Sequence, residues 1–508
     1  MPEELIKKYR QKILPQWWVC FWSALIIGLI AHLYKLTNWL PNWDSLVFRY
    51  DRQNMVAIGR WFLPVVSAPS SFYDLPWMTG LLALLLHGIG AVCICKIFDV
   101  RKKTTAILIG AVVISFPTVT SVLMYNYVAD AYALSFLLAC IAALLMTREK
   151  PKYPASAVLI ALSMGIYQAY ITVTIMLLLC HLILEVLQAD TKVKTLLTKC
   201  VKYLLTGIAG AAMYYLVLML VLKVTKTALL EYQGAADAVT LSQLDLFGAL
   251  YTIKESFMTY FFDFSNGCNV FGVINIAVCV LAVALYIADI VRNKLQISKI
   301  LVLLVFVILL PVGASALSFI NSSVDYHNLM KMGFVAFYLL LILQYEKCDC
   351  ALCKCSAYKA WLILGVAAAL VFNQIVIANV SYHKLTMAFE KSYGILIRIA
   401  DRIEQTEGAE DCDRILVQGY LPGSEAYSAI LPPDMAGTTD GLIIRADDEE
   451  VGQSVLCSAL NDYCQKDYQF VSGAEKAQLL QKAEGMANWP DKNSICVVDD
   501  VIVIKLSD

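Results

Sequence analysis

Apolar runs of about twenty residues recur along this chain. That is the length a helix needs to cross roughly 30 Å of hydrocarbon. The first is "QWWVCFWSALIIGLIAHLYKL", and ten more follow. They place spans near 17–36, 77–98, 105–124, 131–147, 153–168, 170–187, 203–223, 270–290, 300–320, 328–345 and 360–378. Only 16% of the residues are charged, against about 25% in a soluble domain. A net charge of −1 gives no general attraction to nucleic acid. The opening "MPEELIKKYRQK" precedes a first span too long for the core of a cleaved leader, with no small-residue cleavage site after it.

Residues 153–187 form one nearly continuous apolar stretch, which fits either one tilted span or two spans broken near "GIYQAY". Charge discriminates between them, because Lys and Arg stay in cytoplasmic loops. With the N-terminus inside and the stretch broken, the inside segments hold 21 Lys and Arg. The outside segments up to Lys331 hold eight. The expectation is therefore a polytopic α-helical membrane protein of about eleven spans, N-terminus cytoplasmic. Residues 1–378 form the transmembrane domain, with outer loops 37–76 and 224–269 that read as interfacial amphipathic helices.

The last 130 residues differ, carrying 22 acidic and 11 basic side chains. "YHKLTMAFEKSYGILIRIADRIEQ" has helical periodicity, while "DRILVQGY" and "ICVVDDVIVIKL" read as buried strands. Residues 379–508 are expected to form a small extracytoplasmic α/β domain. Of the 16 cysteines, four lie in "CDCALCKC" (Cys348, Cys350, Cys353, Cys355). Their spacing matches no familiar zinc pattern, so they read as a reduced thiol cluster beside the membrane. In the C-terminal domain Cys457 and Cys464 are an expected disulfide pair, since that compartment permits disulfides.

The chemistry-bearing stretch is "NWDSLVFRYDRQNMVAIGRW", placed where the first span ends. Charges beside a membrane are costly unless they are hydrated or functional. Asp44 can take a proton from an attacking hydroxyl, and Arg60 and Arg52 can hold a phosphate through paired donors. The structural alternative is a solvated loop, with Trp39, Trp43 and Trp61 in the headgroup belt. Asp130 in "YNYVADAY" is either a second acidic residue of the site or a helix N-cap. Asp74, before Pro76, lines the cavity or caps the second span. Asp325, His327 and Lys331 start the tenth span, and Lys331 is placed one turn beyond His327 on the same face. His327 and Lys331 are candidate phosphate ligands; the alternative for His327 is simple hydration. Tyr167 and Gln168, at the break, either line the same cavity or form a plain turn. Scattered acidic residues argue no metal site, and a divalent requirement stays open. There is no Walker A, no GxGxxG after a strand, no HExxH and no GxSxG.

These pieces resemble the bacterial glucosyltransferase type II family, the serotype-converting O-antigen glucosyltransferases with the GT-C membrane fold. The likeness rests on "NWDSL", "GRWFLP", "SFYDLPWMTGLL", "YNYVADAYALSFLLA", "GIYQAYI" and "ANVSYHKLTMAFEKSYGILIRIADRIEQ" in that order. The resemblance implies Asp44 as the catalytic carboxylate, Asp130 as a second one, and Arg60 and Arg52 at the donor phosphate. Family members often carry an arginine near the start of a late span, where this chain reads "DYHNLMKMGF". It also implies a polyprenyl-phosphate sugar donor, often glucose, and a cell-surface glycan acceptor. A flippase and a polyprenyl-phosphate glucosyltransferase would then be partners in the same pathway. A transporter or flippase of lipid-linked sugars is the alternative function. Transporters often pair two halves with matching broken helices, whereas this chain has one break and no repeat.

Overall fold

A computed structural model describes residues 4, 13–47, 52–188, 190–230, 245–262, 270–320, 326–348, 354–421 and 449–507. It divides into two compact units. One holds the described residues up to Asn38 and from Arg52 to Val380; the other holds those of 39–51 and from Ser381 onward.

In chain order the helices begin with α1 (Pro15–Thr37), α2 (Trp43–Val47), α3 (Arg52–Ala57), α4 (Leu63–Ser67), α5 (Pro76–Ile97), α6 (Lys103–Ser115) and α7 (Pro117–Met124). They continue as α8 (Ala129–Thr147), α9 (Tyr153–Ile166), α10 (Ile171–Val186), α11 (Val193–Thr225) and α12 (Leu246–Phe262). The remainder are α13 (Val270–Arg292), α14 (Ile297–Ala314), α15 (Val335–Glu346), α16 (Lys354–Glu404), α17 (Glu449–Cys464) and α18 (Ala474–Lys482).

The first unit is a polytopic membrane bundle. Among the described residues nine helical segments are long and apolar enough to cross a bilayer. Two of the expected spans are shorter apolar helices, Tyr153–Ile166 and Met332–Glu346. Local chemistry explains the boundaries. Proline opens α1 and α5, where its missing N–H costs nothing. Phe116, ahead of Pro117, is held out of the helical region at φ −57°, ψ 136°, which separates α6 from α7.

Small residues let the helices approach closely. A Cβ on Gly110 of α6 would lie 2.4 Å from the Cys20 carbonyl oxygen of α1. One on Gly90 of α5 would lie 2.4 Å from the Phe136 ring of α8. Hydroxyls join α8 to α9 reciprocally: Ser135 Oγ donates to the Ser163 carbonyl at 2.8 Å, and Ser163 Oγ to the Ser135 carbonyl at 2.9 Å.

The expected break between the fifth and sixth spans is real. α9 ends at Ile166, Tyr167 is extended (φ −154°, ψ 115°), and a 3-10 turn at Gln168–Tyr170 leads into α10. The last apolar helix does not stop near 378 as expected; α16 runs unbroken to Glu404. The apolar run and the amphipathic stretch after it share one helical period, with no breaker between them. Of the expected interfacial helices, α2, α3, α4 and α12 are present, and residues 231–244 and 263–269 lie outside the described set.

The second unit is built on a four-stranded sheet, with β1 (Arg414–Gln418), β2 (Gln469–Phe470), β3 (Ile495–Val498) and β4 (Val501–Lys505) in the order β2-β1-β4-β3. β1 runs parallel to β2 and to β4, and β3 is antiparallel to β4. "ICVVDDVIVIKL" is thus a hairpin, turned at Asp499 and Asp500 with φ 48° and 58°, the left-handed pair that tight hairpins require.

Alternation along the strands fills two cores. Ile415, Val417, Ile502 and Ile504 pack with Leu396, Ile399 and Ile403 of α16 and with Val455 and Leu460 of α17. Leu416, Val501 and Val503 face Leu479 of α18. Leu46 of α2 joins the first of these cores.

The Cys457–Cys464 disulfide is not formed, and both thiols are free. They lie seven residues apart on α17, about 10.5 Å along the axis and beyond the roughly 7 Å a disulfide spans. Of the four clustered cysteines, Cys350, Cys353 and the side chain of Cys355 lie outside the described residues, and Cys348 is buried with its thiol on the Gln344 carbonyl.

Candidate active site

Arg60 is the best-organised of the expected site residues. It follows Gly59, whose φ of +84° is a backbone shape that glycine adopts without strain. The loop Ile58–Phe62 is clamped to the α9–α10 break and to α11. Phe62 N–H donates to the Gly165 carbonyl at 2.8 Å. Gln168 Nε2 donates to the Ile58 carbonyl at 3.2 Å and to Tyr214 Oη at 3.0 Å. Tyr214 Oη donates in turn to the Gly59 carbonyl at 2.9 Å. Trp61 packs beneath Gly165, where a Cβ would come 2.7 Å from its ring, so it is part of the clamp.

On this clamp the guanidinium is aimed by aromatic rings. Arg60 Nη1 donates to Tyr132 Oη at 2.8 Å. The Arg60 Cζ stands 4.8 Å over the Tyr167 ring and 5.9 Å from that of Tyr132. Those two rings stack on each other at 4.7 Å and 16°. The half-buried guanidinium is thus held by a hydroxyl and two π faces, and its planar fork of donors has the geometry that suits an anion. Tyr167 and Gln168 are therefore parts of one arrangement with Arg60. Tyr132 and Tyr214 were missed in the sequence; "DAY" placed Tyr132 beside a residue already under suspicion.

Asp130 lies in the first turn of α8, but Val128 is the N-cap and no side chain caps the helix. The carboxylate accepts from Ala131 N–H at 2.9 Å, and it is 9% exposed. Asp74 does not cap α5 either, since Leu75 holds that position. Asp74 instead acts electrostatically on Lys35 near the end of α1, a lysine buried to 1% exposure.

His327 precedes a 3-10 turn, Asn328–Met330, and a second, Met332–Phe334, follows. Lys331 sits between them at φ −90°, ψ 17°, so the expected α-helical face shared with His327 does not exist here. The backbone leaves the α register because Thr118 Oγ1 takes the Asn328 carbonyl at 2.7 Å and Gly333 abuts Thr172. Lys331 is buried, its Nζ 5.9 Å from the Tyr260 ring centroid. The Met332–Phe334 turn contacts the Gln168–Tyr170 turn, which brings this segment to the same end of the bundle as Arg60.

Asp44 lies in the first turn of α2 and is 8% exposed. α2 packs against α17 and belongs to the second unit. Arg52 opens α3; its side chain, like all of Asp325, lies outside the described residues. Among the described residues no group of three or more His, Cys, Asp and Glu is placed to hold a metal ion.

The family model for glucosyl transferase GtrII matches residues 33–343. The chain belongs to the GtrII glucosyl transferase family. The match takes in Asp44, Arg60, Asp130, the α9–α10 break and Lys331, and it ends within α15, before α16 and the sheet. No curated protein and no solved structure matches this chain. This GtrII member is a membrane glycosyltransferase.

Proposed function

We propose that this glycosyltransferase moves glucose from a polyprenyl phosphate to a hydroxyl of a cell-surface glycan, on the outer face of a bacterial plasma membrane. The observation that carries the reading is the aimed guanidinium of Arg60 beside a helix break. A phosphate leaving an anomeric carbon gains charge in the transition state, and a preorganised guanidinium stabilises that gain. The acceptor oxygen forms the new bond to the anomeric carbon as the sugar–phosphate bond breaks. The acceptor's proton passes to a carboxylate, and the polyprenyl phosphate departs with the bonding pair.

Asp44 is the proposed base, on its place after the first span and its burial, with Asp130 as the second acidic residue. Arg52, His327 and Lys331 are proposed as further phosphate contacts, and Asp74 as a cavity residue. Eleven spans, a cytoplasmic N-terminus and an extracytoplasmic second unit belong to the same proposal, because the charge bias of the loops favours them. A donor displayed on the outer leaflet suits this arrangement. Nucleotide sugars are cytoplasmic, and the inside loops are short.

The test is removal of the chain from its host. Surface glycan should lose glucose while polyprenyl-phosphate glucose accumulates. An unchanged glycan, together with labelled lipid that the purified protein moves across a vesicle without transferring its sugar, would sink the proposal in favour of transport.

A further inference from the structure

The opposite end of the bundle holds a cavity of about 410 Å³ that the glycosyltransferase reading does not use. It lies where α5 ends (Ile97–Asp99), between the last turns of α10, α13 and α15. Four carboxylates line it, and three of them are answered. Asp99 pairs with Arg101 at 2.7 Å. Asp289 accepts from Lys347 at 2.8 Å and from Gln344 at 3.0 Å. Glu346 accepts from the backbone N–H groups of Arg101 and Lys102 at 2.9 and 3.0 Å.

Glu185 is different. Its Oε1 is bonded by Lys199, while its Oε2 is buried with no hydrogen-bond partner among the described residues. One turn earlier on the same face, His181 Nδ1 is also buried and unmatched, with Nε2 3.9 Å from Glu185 Oε1. Buried polar atoms of this kind need a partner. Two protein ligands are too few to hold a metal ion, and no third His, Cys, Asp or Glu joins them among the described residues. An alkylammonium, with three N–H donors on one nitrogen, is the kind of partner both acceptors call for.

The lining also offers an anion site. Arg292 ends α13 with an exposed side chain, and Lys347 stands one turn after Leu343 of α15. Beside Arg292, Val291 is 71% exposed. α13 as a whole is only 22% buried across its membrane window, so the cavity sits where a lipid-facing helix ends. Leu184, Leu187 and Leu343 complete its apolar wall.

We propose that this cavity binds the phosphoethanolamine headgroup of a phospholipid from the adjoining leaflet. The ammonium meets Glu185 and His181, the phosphate meets Arg292 and Lys347, and the acyl chains lie along α13. The proposal is independent of the glucosyl-transfer reading and needs no catalytic activity for its test.

Native mass spectrometry of the full chain, supplied equally with phosphatidylethanolamine, phosphatidylcholine and phosphatidylglycerol, reads the preference. Phosphatidylethanolamine should be retained about tenfold over phosphatidylcholine, the factor one charge-assisted hydrogen bond supplies. Glu185→Gln should bring that ratio to near one. Because Glu185 also pairs with Lys199, Arg292→Gln is the second variant; its side chain is exposed, and it should weaken phosphatidylethanolamine retention several-fold while the protein stays folded. Equal retention of the ethanolamine and choline lipids, or a preference that survives both substitutions, overturns the proposal. A preference for phosphatidylglycerol makes the cavity an anionic-lipid site and overturns it too. Free phosphoethanolamine should fail to displace the lipid; if it displaces the lipid at equal concentration, the ligand is a soluble metabolite and the lipid assignment falls.

Discussion

Replacing Arg60 by lysine keeps the charge and removes the geometry that the structure builds around it. Lysine cannot reproduce the 2.8 Å bond to Tyr132 and also present a planar face to Tyr167 at 4.8 Å. A charge-assisted hydrogen bond contributes about 1.5–3 kcal/mol, and a half-buried cation–π contact about 1–2 kcal/mol. About 3 kcal/mol of orientation is therefore at stake, which corresponds to roughly a hundredfold in rate. Arg60→Lys should lower kcat/KM by that factor, and Arg60→Ala by a further tenfold or more, since the charge goes as well. Tyr132→Phe removes that one hydrogen bond and leaves the arginine and its Tyr167 contact, so it should cost roughly tenfold, the lower end of the range.

The assay is transfer of labelled glucose from a short-chain polyprenyl phosphate to a glycan acceptor by the purified protein in nanodiscs, with thermal unfolding recorded for each variant. The ordering Tyr132→Phe, Arg60→Lys, Arg60→Ala is the diagnostic. If Arg60→Ala works within twofold of the parent while folded, or if Lys and Phe variants rank the other way, then Arg60 does not meet the phosphate.

Asp44→Asn should abolish transfer while leaving the protein folded in the membrane, as read by the same assay and by size-exclusion profile. Gly110→Ala should lower stability by about 1–3 kcal/mol in detergent, because its Cβ would meet the Cys20 carbonyl oxygen at 2.4 Å, with the Ala24 nitrogen only 3.1 Å away. Gly165→Ala presses on the Trp61 ring and on Phe62 Cβ, 2.7 and 3.1 Å away. It should reduce kcat more than it reduces the unfolding temperature, and trimming Trp61 to Leu should restore part of the loss. Burial pushes the Cys457 thiol up to about 11. The stability it contributes to the second unit is full below pH 9 and lost as pH climbs toward 11, a loss that Cys457→Ala should abolish in a pH series of unfolding midpoints.

The spans were legible because twenty-residue apolar runs and loop charges are local signals. The break at Gly165–Tyr170 was legible for the same reason, since only two spans keep "TKVKTLLTKCVK" on the basic side. What escaped depends on partners distant in sequence. Tyr132 reaches Arg60 across 72 positions, and Tyr214 reaches Gly59 across 155; no periodicity carries either contact. Lys331 was misplaced because a helical period was extended into a segment that tertiary hydrogen bonding winds as two 3-10 turns. Asp74 and Asp130 both have the composition of a cap at a helix start, yet the backbone enters each helix one or two residues away from where a cap would serve. The Cys457–Cys464 pairing failed on geometry that the helical period itself supplies, once the segment is known to be α17.

The break does more than reverse the chain. In an unbroken helix the Gly165 carbonyl would accept the N–H four residues on, from Ala169. Because Tyr167 is extended, that carbonyl is released and takes Phe62 N–H instead. Backbone freed within a membrane bundle must find protein partners, and here the partner is the loop that carries Arg60. The same interruption turns the Tyr167 ring under the guanidinium and brings the Gln168 amide to the Ile58 carbonyl. Healing the helix would therefore lose the support of the loop and the ring beneath the arginine together. This is a physical reason for a glycosyltransferase to keep a costly interruption in an otherwise continuous apolar segment.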